Sequence, residues 1–333
     1  MVFHPAIYAL LVGSVLISAM LCYSSYHGLR ILKSWNITSG SELQLNLERR
    51  TYLISTLVTN AFAFQLISLF LFIFTADHLH TLFVGAMCAA GSLNVNDFGY
   101  PTVILKTVNF LLAGLWLILN FTDNRAYDYP LIKKKYLMLL LITPAIVIEA
   151  IIQAKYFLEM KPNIITSCCG TLFSVDAEGV TSGIMALPVL PVSAGFYATM
   201  ALTAALGIYF YAKGRGAYLF SLANTGAFIL SIVALVSYIS IYIYELPTHH
   251  CPFDILQANY NFVGYPLYAG LLGSAVAGMG VGLITPFKKI KSLAQVIPVV
   301  QRGLTLTSLI LSSIFLSIAV YSVASSNLTL AFF

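Results

Sequence analysis

Four of the five cysteines stand in three polar segments, and histidines crowd beside two of them. His78-Leu79-His80 precedes Cys88, which follows Met87, a soft thioether donor; His249-His250-Cys251 are consecutive; Cys168 and Cys169 are adjacent. Thiolate and imidazole together suit zinc and copper(I). That makes His78, His80, Cys88, Cys168, Cys169, His249, His250 and Cys251 candidate metal ligands. Thiols outside the cytoplasm also carry redox chemistry, so Cys251, Cys88, Cys168 and Cys169 are equally the candidate reactive groups. No C-x₂-C spacing is present. Adjacent cysteines bridge each other poorly, because a disulfide wants its Cα atoms about 4.4–6.8 Å apart. Two bridges, Cys88 to one of the pair and Cys251 to the other, would instead staple three loops together in a purely structural role.

A second kind of chemistry lies within the apolar stretches, where ionisable groups are costly in lipid. Glu149 falls near the middle of one stretch, and Lys106 about a turn and a half into another. They could pair, Glu149 could carry a proton, or it could simply hydrogen-bond within the bundle. Lys155 and Glu159 read as side chains reaching back to an interface. Asn60, Gln65, Asn109 and Asn120 read as hydrogen-bonding links between helices.

The elements that must hold these residues are membrane spans. Of 333 residues 59% are hydrophobic and only 9% charged, against about 25% charged in an average soluble domain. This excludes a soluble enzyme, a nucleic-acid module and a disordered scaffold. Windows of about 20 apolar residues predict eight transmembrane helices, near 5–27, 52–76, 101–122, 136–158, 188–212, 218–244, 264–286 and 303–325. The fold expected is an all-α integral membrane protein: a first four-helix half over 1–160, a Cys-Cys loop over 161–187 and a second half over 188–333.

Fourteen of the 17 lysines and arginines fall in alternate loops, leaving Lys106, Lys155 and Lys161 for the other side. The positive-inside rule then turns both termini outward, and places four of the cysteines and five of the six histidines on the extracytoplasmic face of a plasma (bacterial inner) membrane. The net charge of +5 suits basic loops facing anionic lipid, with no nucleic acid as partner.

One internal match stands out. Asn96-Asp97-Phe98-Gly99-Tyr100-Pro101 opens the third span and Asn261-Phe262-Val263-Gly264-Tyr265-Pro266 the seventh, each preceded by a cysteine and, before that, by histidines. Four spans lie between them, which reads as a parallel 4+4 repeat. A pseudo-twofold axis along the membrane normal would bring Cys88 and Cys251 toward each other.

Cys251-Pro252-Phe253-Asp254-Ile255-Leu256-Gln257 resembles the Cys-Pro-x-Cys-Ile-x-Gln segment of membrane thiol oxidoreductases of the DsbB and VKOR type. The resemblance covers about seven residues and implies transfer of electrons between dithiols and a quinone. Asp254 stands where that motif has its second cysteine, so the implied chemistry needs Cys88, Cys168 or Cys169 as the partner thiol. Three functions follow as expectations. The first is a metal- or thiol-handling protein of the extracytoplasmic face, with copper, zinc or quinone as cofactor and an envelope protein as partner. The second is a non-catalytic anchor subunit of a larger envelope or respiratory complex. The third is a proton-coupled transporter using Glu149. Whether the chain is an enzyme is left open by these residues.

Overall fold

The computed structural model describes residues 4–37, 39–161, 165–166 and 187–328. Among them there is no strand, only an isolated bridge between Val84 and Ile165. The helices are α1 (Pro5–Ser34), α2 (Glu42–His78), the short α3 (Ala89–Leu93), α4 (Gly99–Asp123), α5 (Ile132–Leu158), α6 (Val189–Lys213), α7 (Ala217–Ala234), α8 (Ser240–Tyr244), α9 (Gly264–Ile284) and α10 (Val296–Ser325). A π-helical turn, Leu235–Ile239, runs α7 into α8 as one span. Eight of the resulting segments are long and apolar enough to cross a membrane, as in a multi-pass membrane protein.

Several helices outrun their apolar windows. α2 begins at Glu42 rather than near residue 52, where the Ser41 hydroxyl accepts the Gln44 N–H at 3.3 Å, an N-cap interaction. α10 begins at Val296 rather than near 303. The physical reason is simple: a hydropathy window measures how much helix lipid covers, whereas backbone hydrogen bonding continues through polar residues until a cap stops it.

The chain forms two compact units. The first comprises residues 1–75, 96–160 and 286–300. Its core is built by Ile17 and Leu21 of α1, Val58 and Phe62 of α2, Trp116 of α4, and Tyr136, Leu139 and Ile146 of α5. Lys135, counted above among the basic loop residues, is in fact buried on α5. It pairs with Asp123 at 2.9 Å and donates to the Asn120 side chain at 3.1 Å. The Asp123 carboxylate also accepts the Leu131 N–H at 2.7 Å, tying down the turn between α4 and α5.

The second unit comprises residues 76–95, 161–285 and 301–333. In it α7 packs against α6 and α9. The α7–α9 contact depends on Gly278, where a Cβ would stand 2.2 Å from Asn224 Cγ. The Asn224 amide donates to Ser308 Oγ of α10 at 3.1 Å, the kind of interhelical link that small and polar residues make in lipid. The segment 76–95, which the sequence assigns to the first half, belongs to this second unit. It carries Cys88 with it.

Candidate functional site

The site is assembled in the second unit from two segments far apart in sequence. The first leaves the end of α2, makes a 3₁₀ turn at Leu79–Leu82 and reaches Cys88 just before α3. Gly85 makes the path feasible: its φ is +90°, and a Cβ there would lie 2.3 Å from the Thr166 carbonyl oxygen. Thr166 in turn donates its N–H to the Val84 carbonyl at 3.0 Å and its hydroxyl to the Gly91 carbonyl at 2.9 Å. Cys88 and all of α3 are buried.

The second segment follows α8, which ends at Glu245 in the left-handed conformation. Tyr244 pins what comes after. Its hydroxyl donates to the Cys251 carbonyl at 2.5 Å and accepts the Ile255 N–H at 3.0 Å. The Tyr268 hydroxyl donates to the Pro252 carbonyl at 2.5 Å. A 3₁₀ turn at Asp254–Leu256 then folds Asp254 back over Cys251.

The result is a convergence of three buried side chains. Cys88 Sγ and Cys251 Sγ are 3.6 Å apart, and Cys251 Sγ lies 3.5 Å from Asp254 Oδ1. The sulfur separation is non-bonded, well beyond the ~2.05 Å of a disulfide. The Phe253 N–H donates to Cys251 Sγ at 3.4 Å. The other Asp254 oxygen faces His249 Nε2 at 2.5 Å. Burial raises the Asp254 carboxyl, but hydrogen bonds from His249, Cys88 and Cys251 outweigh it and hold the group below its ordinary value. Among the described residues, Cys88, Cys251 and Asp254 are the group whose donor atoms all lie within 4.8 Å of one another.

The remaining expected ligands stand elsewhere. His249 backs Asp254 rather than joining the three, and packs edge-on to Tyr244 at 4.7 Å. His250 Nδ1 meets the Val236 carbonyl at 3.0 Å, at the π-helical turn. His80 Nδ1 contacts the Asp77 carbonyl, and His78 ends α2. Cys168 and Cys169 lie outside the described residues, as do the bridges imagined for them. Sequence reasoning saw Asp254 only as a missing cysteine. Its carboxylate is the third converging group, and the close spacing Cys251-x-x-Asp254 was the available signal.

In the first unit, Glu149 and Lys106 do form an ion pair, at 2.7 Å and fully buried. The Glu149 carboxylate also accepts the Gln65 and Asn109 amides at 2.5 and 2.6 Å, while Lys106 donates to Ser68 Oγ at 2.7 Å and stands 5.5 Å over the Phe72 ring. Three donors converge on this carboxylate. Such a network ties α2, α4 and α5 to one another.

The chain matches no family model, and no curated protein and no solved structure is similar to it.

Proposed function

We propose that this is a multi-pass membrane protein that binds a zinc ion at its extracytoplasmic face through Cys88, Cys251 and Asp254. One observation carries the reading: the spacing of the three donors. Around tetrahedral zinc, with bonds of about 2.3 Å to sulfur and 2.0 Å to oxygen, the sulfur–sulfur edge is about 3.8 Å and the sulfur–oxygen edge about 3.5 Å. The corresponding separations here are 3.6 and 3.5 Å. A linear copper(I) dithiolate would hold its sulfurs at twice the bond length, farther apart than these two stand. On binding zinc both thiols lose their protons, and the ion offsets the charge of two thiolates and a carboxylate in a buried place. One tetrahedral position is left to a further donor, through which the ion enters, leaves or meets a ligand. The extracytoplasmic assignment is supported by the distribution of basic residues.

The test is metal analysis of protein purified without chelator, with thiol alkylation and intact mass on the same sample. Near-stoichiometric zinc, lost in Cys88→Ala and in Cys251→Ala, is expected. A Cys88–Cys251 disulfide with no metal would overturn the zinc reading in favour of the dithiol chemistry that the seven-residue resemblance implies, with a quinone as the electron acceptor.

A further inference from the structure

We infer that Asp77 and Gln257 are the positioning residues of this site, locking Cys88 in register with the turn that carries Asp254. The inference rests on the zinc reading above. Asp77 Oδ1 accepts the Ala89 N–H at 3.2 Å and the Gln257 amide, Nε2, at 3.1 Å. The same amide donates to the Met87 carbonyl at 2.9 Å. Met87 and Ala89 are the chain neighbours of Cys88, so the peptide groups on both sides of the thiol are held by this one pair. The Gln257 backbone N–H meanwhile donates to the Asp254 carbonyl at 2.9 Å, closing the 3₁₀ turn that turns the carboxylate toward Cys251.

Asp77 is an anchor rather than a ligand. Its oxygen is committed to two N–H donors, and its carboxylate is not among the converging donor atoms of the described residues. Cys88 and Cys251 are 163 positions apart, a long loop to close against chain entropy. The Asp77–Gln257 pair is where one segment reads the position of the other through directional hydrogen bonds. Partners of this kind, one step behind the ligands, typically change metal affinity 10–100-fold when removed.

The experiment measures zinc affinity of the full-length protein in detergent by competition with a chromophoric chelator. Asp77→Ala and Gln257→Leu should each weaken binding 10–100-fold, and the double variant should be little worse than either single, because both remove the same link. Asp77→Asn keeps an Oδ1 acceptor and should restore most of the affinity. At saturating cobalt(II), the sulfur-to-cobalt charge-transfer band should persist in all of them, since both thiolates remain. A second arm reads the metal-free protein: diamide, itself reduced to the hydrazine, joins two thiols as a disulfide, and peptide mapping follows the Cys88–Cys251 product. Its rate should fall about as far as the affinity does.

Unchanged affinity and unchanged oxidation rate would overturn the inference. So would an Asp77→Asn variant as damaged as Asp77→Ala, and a changed pattern of cobalt(II) ligand-field bands in Asp77→Ala, with the charge-transfer band intact, would make Asp77 a ligand instead. If the unaltered protein binds no zinc, the zinc reading fails alone, and the oxidation arm still decides the positioning role. Should Asp77→Ala not fold, Gln257→Leu and Gln257→Glu carry the same comparison.

Discussion

Removing Lys106 should be far more damaging than removing Lys106 and Glu149 together. In Lys106→Met, the Glu149 carboxylate keeps the Gln65 and Asn109 amides but loses the cation 2.7 Å from its other oxygen. A charge left buried without its partner costs about 3–5 kcal/mol, whereas replacing a whole buried pair by apolar residues of similar volume is often neutral. We therefore expect Lys106→Met to lose about 3–5 kcal/mol. Glu149→Leu, which strands the ammonium between Ser68 and the Phe72 ring, should lose a similar amount. Lys106→Met/Glu149→Leu should fall within about 2 kcal/mol of the unaltered protein, so the coupling across the cycle is several kcal/mol. Equilibrium unfolding in mixed detergent–dodecyl sulfate micelles, followed by the fluorescence of Trp35 and Trp116, reads all four corners. Additive losses, or single variants within about 1 kcal/mol of the parent, would refute this tie between the helices. A proton-coupled flux abolished by Glu149→Gln would return this network to the transport reading.

Three further outcomes are expected. Tyr244→Phe deletes a hydroxyl that satisfies the Cys251 carbonyl and the Ile255 N–H; with both groups buried it should cost about 1–3 kcal/mol and speed hydrogen exchange at residues 251–256. Gly85→Ala forces a Cβ toward the Thr166 carbonyl at positive φ; zinc should be lost or weakened and exchange at 84–93 accelerated, while the micelle unfolding of the first unit stays as it was. In whole cells a membrane-impermeant maleimide should label Met87→Cys, an exposed position beside the site, and should leave Lys289→Cys unlabelled until the cells are opened. The opposite pattern would invert the orientation.

The spans were legible because lipid selects for apolar length, and that signal is strong in every one of the eight windows. Their polar ends were not, since capping at Ser41 and burial of Lys135 on Asp123 depend on hydrogen bonds that hydropathy does not weigh. Cys88 and Cys251 could be foreseen as neighbours from the matching Gly-Tyr-Pro segments. The structure reaches that neighbourhood by folding 76–95 into the second unit. Asp77 was invisible: an acidic residue at the end of a helix, next to histidines, has nothing in its type or spacing to mark it as the acceptor that meets Gln257, 180 positions away. Long-range polar contacts of this sort leave no periodicity behind.

The π-helical turn at Leu235–Ile239 has a consequence for how this protein can change over generations. A π turn holds one residue more than the α-helix around it, and each residue advances the helix by about 100°. Everything beyond it is therefore phased by that extra residue, Tyr244 included. Deleting a single residue within 235–239 would smooth the helix and swing the Tyr244 ring by about a quarter turn or more, away from the loop it now holds. It would also withdraw the Val236 carbonyl from His250. A lineage could thus switch the site off without altering any residue that composes it, by a one-codon loss inside an apolar span.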